Sequence, residues 1–223
     1  EAPLDLTVAH VPHFLIPGPW PAAVVEVSAD QRRHLTTVLR REPGAIVSYT
    51  DGAGVIGEGV WNGAGIDRGV EHLEPAPTAT LTLAVAPPDS KERQRWMVEK
   101  CTELGVARLR WLKTHFGQAR LPRHDKAHAW MVSALEQSRR SRVTIIDREW
   151  SSLADLGDFM AADRGGMPFR PAGSVTLAIG PEGGWAPEEL DDPVERASLG
   201  KGVFRTETAA IAAAAVFAVS VKE

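Results

Sequence analysis

The chain has 223 residues, 43% hydrophobic and 24% charged, with a net charge of -4. That is the composition of an ordinary globular protein, and the length suits two domains better than one. Its single cysteine, Cys101, excludes an intrachain disulfide and a cysteine-built zinc site. No apolar run approaches the roughly 20 residues of a membrane helix, and no signal peptide is visible, so a cytoplasmic protein is expected. The acidic total conceals an uneven distribution. Between Lys91 and Trp150 there are 14 Lys/Arg against 7 Asp/Glu. Such a segment suits either phosphate binding or solvated helix faces, because field and counterion release are local effects.

Residues 1 to about 75 read as β-rich. Ala23–Val27, Ile46–Tyr49 and Val55–Trp61 are apolar runs, and Asp51-Gly52 is a turn signal. Asp30–Arg41 reads as an inserted helix with Asp30 as N-cap and His34, Leu35, Val38 and Leu39 on one side. Strands with one helix suggest a small barrel. The Pro-rich stretch Glu74–Thr78 reads as a linker.

Beyond it, strands and helices alternate. Thr80–Ala86 is a strand. A capping box at Asp89 and Glu92 opens a helix that runs to Leu104, with Met97, Cys101 and Leu104 on one face and Gly105 as its cap. Leu109–Leu112 is a short strand. His124–Arg140 is a second helix, with Ala127, Trp130, Met131, Ala134 and Leu135 at helical spacing. Ser151–Ala162 is a weaker helix, Arg164–Gly173 a loop and Ser174–Ile179 a buried strand. Glu188–Asp192 is at most a short helix, and Thr206–Val219 is the last helix, with Thr206 as N-cap and Glu207 in the first turn. This pattern implies a parallel α/β sheet.

Gly180-Pro181-Glu182-Gly183-Gly184 directly follows the buried strand, where open parallel sheets bind ligands. It is neither a dinucleotide fingerprint nor a phosphate-binding P-loop. By itself it suits a structural bend or a ligand loop. Ser198-Leu199-Gly200 and Arg205-Thr206-Glu207-Thr208-Ala209 lead into an Ala-rich helix whose small side chains permit close packing. His10, His13, His34, His72, His115, His124 and His128 form no ligand set. His124 and His128 are spaced i, i+4 but lack a zincin pattern, and so read as a surface pair.

Taken together, Leu177-Ala-Ile-Gly-Pro-Glu-Gly-Gly184 and Ser198-Leu-Gly200 with Arg205-Thr-Glu-Thr-Ala209 resemble the signature of the RsmE family. These are ribosomal small-subunit RNA uridine N3-methyltransferases of the SPOUT superfamily. Lys91 to Val106 is similar to the family's first helix, and Glu136 to Val143 to its Arg-rich helix end. Arg33-His34-Leu35, Val38-Leu39-Arg40, Pro43-Gly44 and Asp51-Gly52 resemble its N-terminal domain. The likeness runs in order along nearly the whole chain. Lys201-Gly202-Val203-Phe204 stands where the family has Pro-Arg and two aliphatic residues. The stretch from Gly184 to Ser198 is also shorter than the family's helix and strand.

The resemblance implies an α/β protein with a PUA-like β-barrel domain for RNA binding at 1–75. It implies a SPOUT methyltransferase domain with a deep trefoil knot at 78–223. S-adenosylmethionine (SAM) is the implied cofactor. Its site would comprise Leu177, Ile179, Gly180, Pro181, Glu182, Gly183 and Gly184, together with Leu199, Gly200, Val203, Phe204, Arg205, Thr206, Thr208 and Ala209. Backbone groups of Leu199, Gly200 and Val203 would hold adenine. Arg205 and Glu207 are the catalytic candidates, and either suits a structural ion pair or helix terminus as well. Arg32, Arg33, Arg40, Lys91, Arg139, Arg140 and Arg142 are the RNA-binding candidates, with Arg41 beside them, though such arginines also suit a solvated helix face; Trp20 and Trp61 suit base stacking or, as is commoner for a lone Trp, a core. The implied partners are ribosomal RNA within the small subunit and a second copy of the chain, with no membrane. Two alternatives remain: a ribose 2′-O-methyltransferase of the same superfamily, and a non-catalytic RNA-binding protein.

Overall fold

A computed structural model describes residues 11–190 and 194–221. Close packing divides the chain into two units. The first is Glu1–Pro75 with Arg139–Arg142, and the second is Ala76–Ser138 with Val143–Glu223.

The first unit is built on five strands among its described residues: β1 (His13–Leu15), β2 (Val24–Glu26), β3 (Ile46–Thr50), β4 (Val55–Trp61) and β5 (Gly65–Leu73). Their order is β1-β3-β4-β5-β2, antiparallel except for the parallel pair β1 and β3. Phe14, Val25, Leu35, Val47, Tyr49, Trp61 and Ile66 form its core. β5 escapes a periodicity reading because Asp67, Arg68 and Glu71 leave it no apolar alternation. Its place comes from backbone pairing with β4 and β2 instead.

The helix expected at Asp30–Arg41 is shorter and irregular. α1 spans Ala29–Arg33, and Ser28 rather than Asp30 caps it. Ser28 Oγ accepts from Gln31 N–H at 3.1 Å, and Gln31 Oε1 accepts from Ser28 N–H at 2.9 Å. The chain then widens into a π turn over His34–Val38, where Leu39 N–H donates to the His34 carbonyl at 2.9 Å. The extra residue rotates later positions off the 3.6-residue register. Leu35 is therefore buried while His34 and Val38 are exposed, against the single apolar side expected.

The second unit holds a six-stranded sheet among its described residues: β6 (Leu81–Val85), β7 (Arg108–Leu112), β8 (Ile145–Ser151), β9 (Met160–Pro168), β10 (Val175–Ile179) and β11 (Glu195–Ser198). The order is β11-β9-β10-β6-β7-β8 and every pairing is parallel. The helices are α2 (Lys91–Glu103), α3 (His124–Ser138) and α4 (Thr206–Ser220). α2 packs against both α3 and α4. Met97, Val98 and Cys101 form the buried face of α2, and Leu104 is only half-buried. Burial pushes the Cys101 thiol up to about 12, so it stays protonated and unreactive.

Several local expectations are corrected. Ser90, not Asp89, occupies the N-cap of α2, and it makes no side-chain cap bond. Gly105 does close α2, at φ +78°. α3 stops at Ser138 because Arg139 turns left-handed, at φ +55°. The weak helix expected over Ser151–Ala162 is one 3-10 turn, Leu153–Asp155, between the end of β8 and the start of β9. Ser152 donates to Asp155 Oδ2 from both N–H and Oγ at 2.7 Å, closing the turn. The expected loop after Arg164 is strand to Pro168. A 3-10 turn at Pro187–Leu190 and the four-residue β11 occupy the stretch that is shorter than the family's helix and strand, and residues 191–192 of the expected short helix lie outside the described residues. Among the described residues, no helix is long and apolar enough to cross a membrane.

Candidate active site

The Gly-rich segment leaves the carboxyl end of β10, next to β6. A tight turn follows, with Gly184 N–H donating to the Pro181 carbonyl at 2.9 Å. Trp185 then folds back over Gly180. A Cβ on Gly180 would stand 3.0 Å from the Trp185 ring, so any larger residue here would push that ring outward. Trp185 Nε1–H donates to the Ala162 carbonyl at 3.1 Å. Glu189 fastens the far side, accepting from Ala186 N–H at 2.8 Å and His115 N–H at 2.7 Å. That bond draws the loop after β7 inward, and Phe116 lies against Gly183.

The second wall is the segment after β11. Gly200 sits at φ +146°, a conformation closed to side-chain-bearing residues. Arg205, in extended conformation, occupies the N-cap of α4. Thr206 is therefore not the cap. Its Oγ1–H donates instead to the Gly180 carbonyl at 3.0 Å, tying the two loops together.

Between the loops lies a cavity of about 470 Å³. It brings together most of the residues expected at a cofactor site: Ile179, the run Gly180–Gly184, Leu199, Gly200, Val203, Phe204, Thr206 and Ala209. Leu177 is buried in β10, and neither Leu177, Arg205 nor Thr208 lines the cavity. Sequence reasoning missed Trp185, Gly202 and Arg196, and also Ala162, Asp163 and Arg164 of β9. Those three enter because the β9–β11 register jumps from Ala161 to Met167, which takes the intervening residues out of the pairing. The signal that could have marked it is Gly165-Gly166, since glycine inside a strand accompanies bulges and close backbone approach, and a Cβ on Gly166 would stand 2.4 Å from the Arg196 backbone. Arg196 pairs with Asp163 at 2.9 Å across it.

The two catalytic candidates separate. Arg205 is exposed, and its guanidinium has no partner among the described residues. Glu207 is buried and faces α2, with Oε1 3.6 Å from Arg93 Nε and Oε2 without a partner among the described residues. It does not line the cavity.

The RNA-binding candidates also scatter. Lys91, Arg33 and Arg40 are exposed, and Arg32 donates to the Ala64 carbonyl at 3.1 Å. Arg142 is engaged by the Glu74 carbonyl at 2.6 Å and by the Ala53 carbonyl, which is a structural anchorage. The Arg140 carbonyl accepts from His13. Trp61 is fully buried, and Trp20 packs edge-on to Tyr49 at 4.9 Å, so neither is an exposed stacking surface. His124 and His128 lie 6.2 Å apart, and no metal-ligand cluster exists among the described residues. His10 is outside them.

Residues 74–218 match the model of the RNA methyltransferase domain family. The chain is 31% identical over 224 residues to the ribosomal RNA small subunit methyltransferase E of Mycobacterium bovis, covering 86% of this chain and 84% of that one. It belongs to this methyltransferase family. Solved members share the fold. The enzyme of the same name from Neisseria gonorrhoeae, crystallised with S-adenosyl methionine, has a TM-score of 0.80 at 23% identity, covering 94% of this chain and 98% of that one. A Legionella pneumophila methyltransferase in complex with SAM has a TM-score of 0.81 at 25% identity, covering 94% and 97%.

The residues present fit the family's cofactor. The cavity is of ligand size. Gly180, Gly183 and Gly200 line it with Trp185, Phe116 and Phe204 packed where their side chains would stand, and Gly184 leaves open space. Ile179, Leu199, Val203 and Phe204 offer apolar surface, and Glu182 offers a carboxylate to a cationic ligand, while Asp163 is paired with Arg196.

Proposed function

We propose that this protein is a SAM-dependent methyltransferase that modifies N3 of a uridine in small-subunit ribosomal RNA. The carrying observation is the cavity at the carboxyl ends of a parallel sheet, closed by two Gly-bearing loops joined through Thr206 and Gly180. The family membership and the SAM-bound relatives supply the rest.

In this reading, residues 78–223 form a SPOUT domain whose loops 180–184 and 198–205 make a trefoil knot, and residues 1–75 form a PUA-like RNA-binding domain. Leu199, Gly200 and Val203 hold adenine through backbone groups. When bound, SAM supplies a methyl group activated on sulfonium. The protein's own task is to hold an unpaired uracil in line with that methyl and to ease loss of the N3 proton. Arg205 is suited to the second part. A cation without a partner among the described residues, one residue from the cavity wall, stabilises the negative charge that spreads to the uracil oxygens as N3 deprotonates. Glu207 instead braces α4 against α2 through Arg93. A homodimer belongs to this reading, and the exposed Val203 and Trp96 are apolar side chains that a second copy could cover. The setting is the cytoplasm, where ribosomal subunits are modified.

Calorimetric titration of SAM into the wild-type protein and a Gly180→Val variant tests this. Saturable binding by the wild type and its loss in a folded variant is expected. No binding by the folded wild type overturns the proposal.

A further inference from the structure

The first unit has a cavity of its own, of about 390 Å³, lined by His13, Ser48, Ile56, Glu58, Val70, His72 and Arg139. Its floor is a directed hydrogen-bond chain. A carbonyl can only accept, so the 3.2 Å contact between His13 Nε2 and the Arg140 carbonyl puts a proton on Nε2. Burial, reinforced by Arg139, keeps the His13 ring neutral by lowering its pKa. Nδ1 then has only a lone pair, and it accepts from the Ser48 hydroxyl at 2.8 Å. The Ser48 oxygen is left as an acceptor on the cavity floor.

Arg139 stands over this floor in a conformation that disfavours it. It follows the last residue of α3 at φ +55°, the position where helices ordinarily place glycine. An arginine in this conformation, against backbone preference, points to a use for its side chain. The guanidinium lies 3.6 Å from Glu58 Oε1, so its charge is offset and the cavity presents no surplus cation to a phosphate. Ile56 and Val70 add aliphatic surface. Val70 is 81% exposed on a strand otherwise rich in charge, an apolar residue with nothing covering it among the described residues.

We propose that this cavity takes one unpaired nucleobase of the RNA substrate. The base stacks on the Arg139 guanidinium, packs against Val70 and Ile56, and donates an edge N–H to Ser48 Oγ. The proposal rests on the reading of RNA as substrate, and it makes the first unit a reader of single-stranded RNA beside the target. A half-apolar cavity whose Arg139 cation is offset by Glu58 and whose Ser48 and Glu58 oxygens accept hydrogen bonds suits a base better than a phosphate, which needs uncompensated cations.

The test is fluorescence anisotropy on the full chain, with a labelled short oligouridine and the same backbone made abasic. Arg139→Gly removes the guanidinium and relieves the backbone, so the variant retains or gains thermal stability. Wild type is expected to bind oligouridine about tenfold tighter than the abasic strand, and Arg139→Gly is expected to lose that difference. Ser48→Ala is expected to reduce it. SAM titration of each variant, unchanged from wild type, separates failure here from failure of the methyltransferase reading. Equal binding of both strands by wild type, or a base preference intact in a folded Arg139→Gly, overturns the proposal.

Discussion

At the scale of single residues, the two charged candidates on α4 part company for a physical reason. Residues at successive helix positions point in directions about 100° apart. Arg205, just outside the helix, faces solvent, while Glu207 turns into the α2 interface. Arg205→Ala is therefore expected to retain SAM affinity and lower kcat by about 100-fold or more, measured by steady-state methyl transfer. Glu207→Gln is expected to lower thermal stability more than kcat. A fall in kcat of about 100-fold with stability unchanged would make it an acid–base group after all. His13 gives a pH signature. Its folded-state pKa is lowered, chiefly by desolvation, so the fold favours the neutral ring. The contribution to stability is complete above the unfolded value of about 6.5 and is lost as pH falls through the lower folded value. Melting temperatures measured from pH about 7.5 down to about 5 should fall more steeply for wild type than for His13→Gln.

At the scale of elements, Thr206 is the residue that makes the two loops one site. Thr206→Val removes the bond to the half-buried Gly180 carbonyl, costing about 1 kcal/mol. A lowered melting temperature and weaker SAM binding together are expected, and loss of neither would mean the loops are held by other contacts. The loop motifs themselves were legible because glycine at fixed places is a backbone requirement written directly in sequence. So were β3, β4, β6, β10, α2, α3 and α4, where apolar spacing matches the period of the element. Elements whose pairing comes from the backbone were not legible. β5 is charged, β11 is short and polar, and β9 carries a Gly-rich bulge. The bulge matters most, because Ala162, Asp163 and Arg164 reach the cavity only through it. Trp61 and Trp20 take the core role rather than base stacking, and because an indole suits both, only packing decides.

At the scale of the molecule, the order of motifs along the chain carried the family, while residue roles needed coordinates. The basic segment from Lys91 to Trp150 illustrates the difference. Many of its charges are already engaged, in pairs such as Arg95–Glu99, Lys100–Glu103 and Arg108–Asp147 or, for Arg142, with backbone carbonyls. Local net charge therefore overstates the cations available to phosphate, and recognition falls to fewer, better placed groups. The most direct measurement is product analysis. The protein is incubated with SAM carrying a labelled methyl group and with small ribosomal subunits lacking the modification, and the RNA is digested to nucleosides. The account predicts label in N3-methyluridine, with the amount cut sharply in the Arg205→Ala variant. Label in a 2′-O-methyl nucleoside, or no transfer by a protein that binds SAM, would contradict it.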